Sequence, residues 1–134
     1  MLYPPEAADL LDFQAVKDMA AEHAATRKGR LLLREAQPRS ERSSIEPELL
    51  QVDELLRLME RGHFFPAVAA AEVDDALPML RIEGAVLTAE QCLAIHAQFQ
   101  AYASAYRFIM LHAEHAPTLE VYVRPFPPEE DVTR

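Results

Sequence analysis

Two imidazoles three positions apart, with a carboxylate between them, stand near the C-terminal third of the sequence as His112-Ala113-Glu114-His115. A helix would bring positions i and i+3 to one face, a spacing that helical metal sites use when further ligands arrive from elsewhere. No cysteine or histidine motif accompanies the pair and Pro117 follows at once, so the residues read instead as helix-end histidines favoured by the negative end of the helix dipole. His23 and His96 could each act as a general base, but both lie on or beside apolar helix stripes, where an imidazole serves as a hydrogen-bonded packing group. The sequence points to no nucleophile for either. Cys92 heads an apolar seam and behaves as a small hydrophobe unless its thiol is acidified. Asp74 and Asp75 are neighbours whose side chains diverge on a helix, and acids at a helix start need no catalytic explanation. Tyr102 and Tyr106 could stack on bases, yet their spacing is that of a packed seam.

A phosphate-cradling loop needs glycines five residues apart followed by lysine, because the backbone must wrap the phosphate closely. The three glycines, Gly29, Gly62 and Gly84, do not have that spacing, which excludes both a Walker-type loop and a dinucleotide fingerprint in this chain. No catalytic, cofactor-binding or metal-ligating residue is therefore expected, and the chain is read as a non-enzyme.

The 134 residues suffice for one domain, and half of them are hydrophobic. Thirteen basic against 22 acidic side chains leave a net charge of −9, which repels a phosphate backbone on average. The cluster Arg27, Lys28, Arg30 and Arg34 is the local exception at which a phosphate could be met. One cysteine permits no internal disulfide, no secretory signal opens the chain, and no apolar run reaches membrane-spanning length. These features predict a cytoplasmic address and no membrane contact.

The elements that must position these residues are helical, since glycine is scarce while Ala, Leu, Glu and Arg abound. After an extended Tyr3-Pro4-Pro5 lead-in, Phe13, Val16, Ala20, His23 and Ala24 predict a first helix over about 9–26, with a turn or kink at Gly29 into a short second one. Ser43-Ser44-Ile45-Glu46 has capping-box spacing, with Pro47 in the first turn. Ile45, Leu49, Val52, Leu55, Leu56 and Met59 form an apolar stripe closed by Gly62. The stretch from His63 to Val73 has no clear period, and residues 74–84 predict a short glycine-closed helix. Thr88 and Gln91 form a second capping box before a long helix over about 88–111, whose seam is Cys92, Ile95, Phe99, Tyr102, Tyr106 and Ile109. Pro117 ends that rod, and residues 119–123 alternate weakly into a Pro-rich acidic end. The expected fold is an all-α antiparallel helical bundle with one long C-terminal helix and a short extended tail, divided into a helical core or lever-type domain, 1–116, and residues 117–134 as a Pro-rich acidic tail or a truncated continuation into the next segment.

Leu11-Asp12-Phe13-Gln14-Ala15-Val16-Lys17, the later run from His23 to Leu33, the Val52-Asp53-Glu54 helix, and Arg81-Ile82-Glu83-Gly84-Ala85-Val86-Leu87 resemble, over about residues 9 to 111, the N-terminal helical core of MutS-family proteins. The similarity is to the second MutS subfamily, whose members begin directly with the helical core. Thr26, Gly29 and Leu33 match a family spacing in which a small residue allows a tight turn between helices. The resemblance implies a DNA mismatch repair-like parent with a lever of long helices and a C-terminal ATPase using ATP and magnesium, dimerising around DNA that other domains contact. This segment would connect nucleotide state to clamping. The Walker and DNA-clamp residues of the family have no matching positions here, and the Pro-rich end interrupts the continuation into the lever. An expressed fragment is the expectation, because Glu129 to Arg134 ends without a cap or apolar anchor. The rival reading is a free-standing acidic adaptor that binds a partner helix through the Cys92–Ile109 seam.

Overall fold

A computed structural model describes residues 11–66 and 70–129, and all regular structure within them is helical. The helices are α1 (Phe13–Glu22), α2 (Arg27–Glu35), α3 (Arg42–Glu60), α4 (Ala89–Leu111) and α5 (Pro117–Val123), with a 3-10 turn at Met79–Arg81. The all-α class expected from composition is what the chain adopts. Contacts group the chain into two units, Met1–Glu46 and Pro47–Arg134, with α3 running through the boundary. The Tyr3-Pro4-Pro5 lead-in lies outside the described residues.

In the first unit α1 packs on α2. The chain breaks earlier than the glycine suggested: α1 ends at Glu22, and Thr26 caps α2 by accepting from the Gly29 amide at 3.0 Å. Gly29 thus belongs to the first turn of α2 rather than to the break. A Cβ there would sit 3.0 Å from the Thr26 hydroxyl, a tight contact. Asp12 precedes α1 in a left-handed conformation (φ 49°) and makes no side-chain cap. Ala21 is buried, while Lys17 holds its ammonium over the Phe13 ring, 5.3 Å from its centre, and donates to the Ala36 carbonyl.

In the second unit α4 carries out its local instructions. The Gln91 amide donates to Thr88 Oγ1 at 3.2 Å, and the Gln91 side-chain oxygen accepts from the Thr88 amide at 2.9 Å, which closes both halves of the capping box. Its 23 residues make a rod of about 35 Å. The expected seam is buried at Ile109, half-buried at Ile95, Phe99 and Tyr106, and exposed at Cys92. The core is formed by Leu58 of α3, Ile109 of α4, Ala116 and Leu119, with Leu55, Phe108 and Val123 against it.

Four expectations are corrected by the structure. The Ser43–Glu46 capping box does not form, because α3 starts at Arg42, where the Glu41 carbonyl accepts from the Ser44 and Ile45 amides and Ser43 donates to the Glu41 carboxylate. Pro47 therefore lies inside α3 rather than in its first turn. The apolar stripe of α3 is not its buried face: Leu55 packs on the core, but Leu49, Val52, Leu56 and Met59 are exposed, and Leu58 and Glu54 are buried instead. Residues 117–123 are helix α5 packed on α4, not an extended tail, because a proline is tolerated where a helix begins. Residues 74–84, read as a short α-helix, contain only turns and the 3-10 segment, although Gly84 has the left-handed φ of 79° that its closing role requires.

Replacing a buried leucine costs transfer energy and leaves a cavity, whereas an exposed one costs little. Leu58→Ala should destabilise the second unit by about 2–4 kcal/mol, and Leu49→Ala by less than about 1 kcal/mol. Urea unfolding followed by circular dichroism measures both, and equal losses would contradict the assignment of faces.

Candidate functional site

The start of α5 presents a local problem. Its N-cap is Ala116, which has no side-chain acceptor, and Pro117 occupies the first turn, so the amides of Thr118 and Leu119 have no partner nearby in sequence. Glu54 of α3 supplies both acceptors: Oε1 takes the Thr118 amide and Oε2 the Leu119 amide, each at 2.9 Å, across separations of 64 and 65 residues. A carboxylate also suits the positive end of the helix dipole. Glu54 is buried, as is Glu120, whose carboxylate accepts from Arg124 one turn later.

A second cluster closes the C-terminal ends of α3 and α4. Gly62, with φ 84°, ends α3 in a doubly bonded left-handed cap in which the Gly62 amide donates to Met59 and the His63 amide to Leu58, each at 2.9 Å. That cap delivers His63 onto His112, the C-cap of α4, with ring centres 4.4 Å apart and planes tilted by 41°. His112 meets Phe108 edge-on at 4.8 Å, and Phe108 meets Phe65 edge-on at 5.4 Å. The His112 imidazole sits below its ordinary value of 6.5, first because packing strips its water and then because His63 and His115 would carry like charge. On the same helix, burial pushes the Tyr102 phenol up, with Tyr106 adding to the effect, and Tyr102 donates to the Phe126 carbonyl.

The structure separates the remaining sequence candidates. His23 caps the end of α1, and His96 and Cys92 are exposed on α4. His115 does not join the ring stack, although it lies near enough to influence His112. Among the described residues no group of three or more His, Cys, Asp or Glu side chains is placed to hold a metal ion. In the basic cluster, Arg30 donates to the Ala24 carbonyl and Arg34 pairs with Asp18 at 3.2 Å. Tyr102 and Tyr106 rings lie 6.4 Å apart as neighbours along α4.

Glu54 and His63 escaped the sequence reading. The signal for Glu54 is a helix that opens on Ala-Pro with no acceptor of its own, and that for His63 is its place directly after a helix-ending glycine. Comparison of the chain with protein-family models, with curated proteins and with solved structures returns no match. Within the described residues no helix is long and apolar enough to cross a membrane.

Glu54→Ala should cost about 2–3 kcal/mol because two amides lose a charged partner, and Glu54→Gln about half of that because one acceptor remains. Chemical denaturation of the two variants tests the order. For His112, a lowered folded value means that the unfolded chain binds the proton more readily just below pH 6.5, so its contribution is complete above 6.5 and is lost as pH falls through the folded value. Thermal melts between pH 7.5 and 5 should show a decline that His112→Phe flattens. An identical decline in the variant would show that other groups cause it.

Proposed function

We propose that this chain is a non-catalytic helical scaffold of a MutS-like DNA repair ATPase, connecting nucleotide state to nucleic-acid clamping in the full-length parent. The observation that carries the reading is the set of large apolar side chains its helices turn to solvent: Leu31 and Leu32 of α2, Leu49, Val52 and Leu56 of α3, and Leu93 and Leu111 of α4. On α3 they follow one another at helical spacing, and an exposed apolar stripe of that kind marks a surface made to be covered. The remainder of the parent chain is the expected cover.

ATP, magnesium and most DNA contacts would belong to other domains of that parent, and parent dimerisation would close the clamp. A net charge of −9 supports placing the DNA contacts elsewhere. The second reading, a free-standing acidic adaptor in the cytoplasm, is favoured by the exposed stripe of α3 rather than by the α4 seam, whose C-terminal half is largely occupied within its own unit.

The gene sequence beyond the Arg134 codon should encode further long helices and a Walker-type ATPase; a frame with no ATPase would overturn the scaffold reading. The 134-residue chain should also leave duplex DNA unshifted in a mobility assay at physiological salt. Retention there would move DNA contacts into this segment.

A further inference from the structure

We propose that the exposed face of α3 is a docking seam for a single amphipathic helix that carries Lys or Arg beside its apolar residues. Leu49, Val52, Leu56 and Met59 follow one another at intervals of three, four and three, the repeat by which one helix packs lengthwise along another. They are 61, 55, 53 and 45 % exposed, so no described residue covers the stripe. On the other side of the same helix, Glu54 and Leu58, one turn apart, are buried by the α5 cap and the core. α3 is thus held from one side and open on the other over about 15 Å, or three turns.

The residues bordering the seam identify the occupant. With Leu49 and Leu56 at the a positions and Val52 and Met59 at d, the e positions are Asp53 and Glu60, and the g positions are Glu48 and Leu55. A second copy laid parallel would bring Glu48 against Asp53, and an antiparallel copy would bring the acidic e positions against each other. Both arrangements set carboxylates together, which suppresses self-pairing and favours a helix with basic flanks. Arg57 already pairs with Asp53 at 2.7 Å, with Arg57 largely exposed and Asp53 half-buried. Such a pair contributes little, so a partner's lysine could replace it.

A three-heptad peptide with Ile at a, Leu at d and Lys at e and g should bind the full chain, read by fluorescence anisotropy. Its affinity should exceed at least tenfold that of a scrambled peptide of identical composition, and likewise that of its counterpart with Glu at e and g. Leu56→Gln should weaken binding at least tenfold, whereas Leu93→Gln, at an exposed leucine of α4, should leave it unchanged. If Leu56→Gln lowers the melting temperature, Val52→Gln takes its place. Equal binding by the scrambled peptide, or equal loss in the Leu93 variant, would reduce the interaction to bulk charge and overturn the proposal. So would sedimentation showing a dimer that Leu56→Gln dissociates, because the face would then belong to a second copy. None of these outcomes depends on whether an ATPase follows Arg134, so the two readings fail separately.

Discussion

The carboxylate of Glu54 ties the second unit together. It is buried, both of its oxygens are used, and the groups it bonds are backbone amides at the start of a helix that has no cap of its own. A seven-residue helix is far too short to persist in water alone. Once α5 is capped from α3, Leu119 and Val123 reach the core that Leu58 and Ile109 share. A buried acid left without partners would be costly, so the geometry of α3, α5 and the core is set jointly.

That anchor also decides which way α3 faces. Glu54 and Leu58 lie on one side of the helix, and pointing them inward rotates Leu49, Val52, Leu56 and Met59 outward. The apolar stripe that periodicity assigns to the core is displaced by a face containing a charge, because that charge has two helix-terminal amides to satisfy. An uncovered stripe is informative: within this chain the interior of the second unit is small, and the surface it leaves is suited to a neighbour.

The C-terminal ends of α3 and α4 are joined by softer forces. The Gly62 cap aims His63 at His112, and the rings of Phe108 and Phe65 extend the stack. Edge-on aromatic contacts of this kind contribute on the order of 1 kcal/mol each. The loss of water around His112, with His63 and His115 nearby, favours its neutral imidazole. The second unit therefore combines an aromatic clasp with a carboxylate cap.

Much of the local structure was legible from neighbours in sequence. The Thr88–Gln91 capping box, the glycine that ends α3, the 23-residue helix and the all-α class each follow from residues a few positions apart, so the chain needs no distant information to specify them. Thr26 and Gly29 belong to the same group, although the glycine serves the start of a helix rather than a break. Only the tertiary structure decided that residues 117–123 are helical, that α3 buries Glu54 instead of its stripe, and that His63 meets His112. The reason is distance along the chain: an acceptor 64 residues away, or a ring on another helix, leaves no trace in a local pattern, yet its hydrogen bonds and contacts outweigh the preferences that the pattern records.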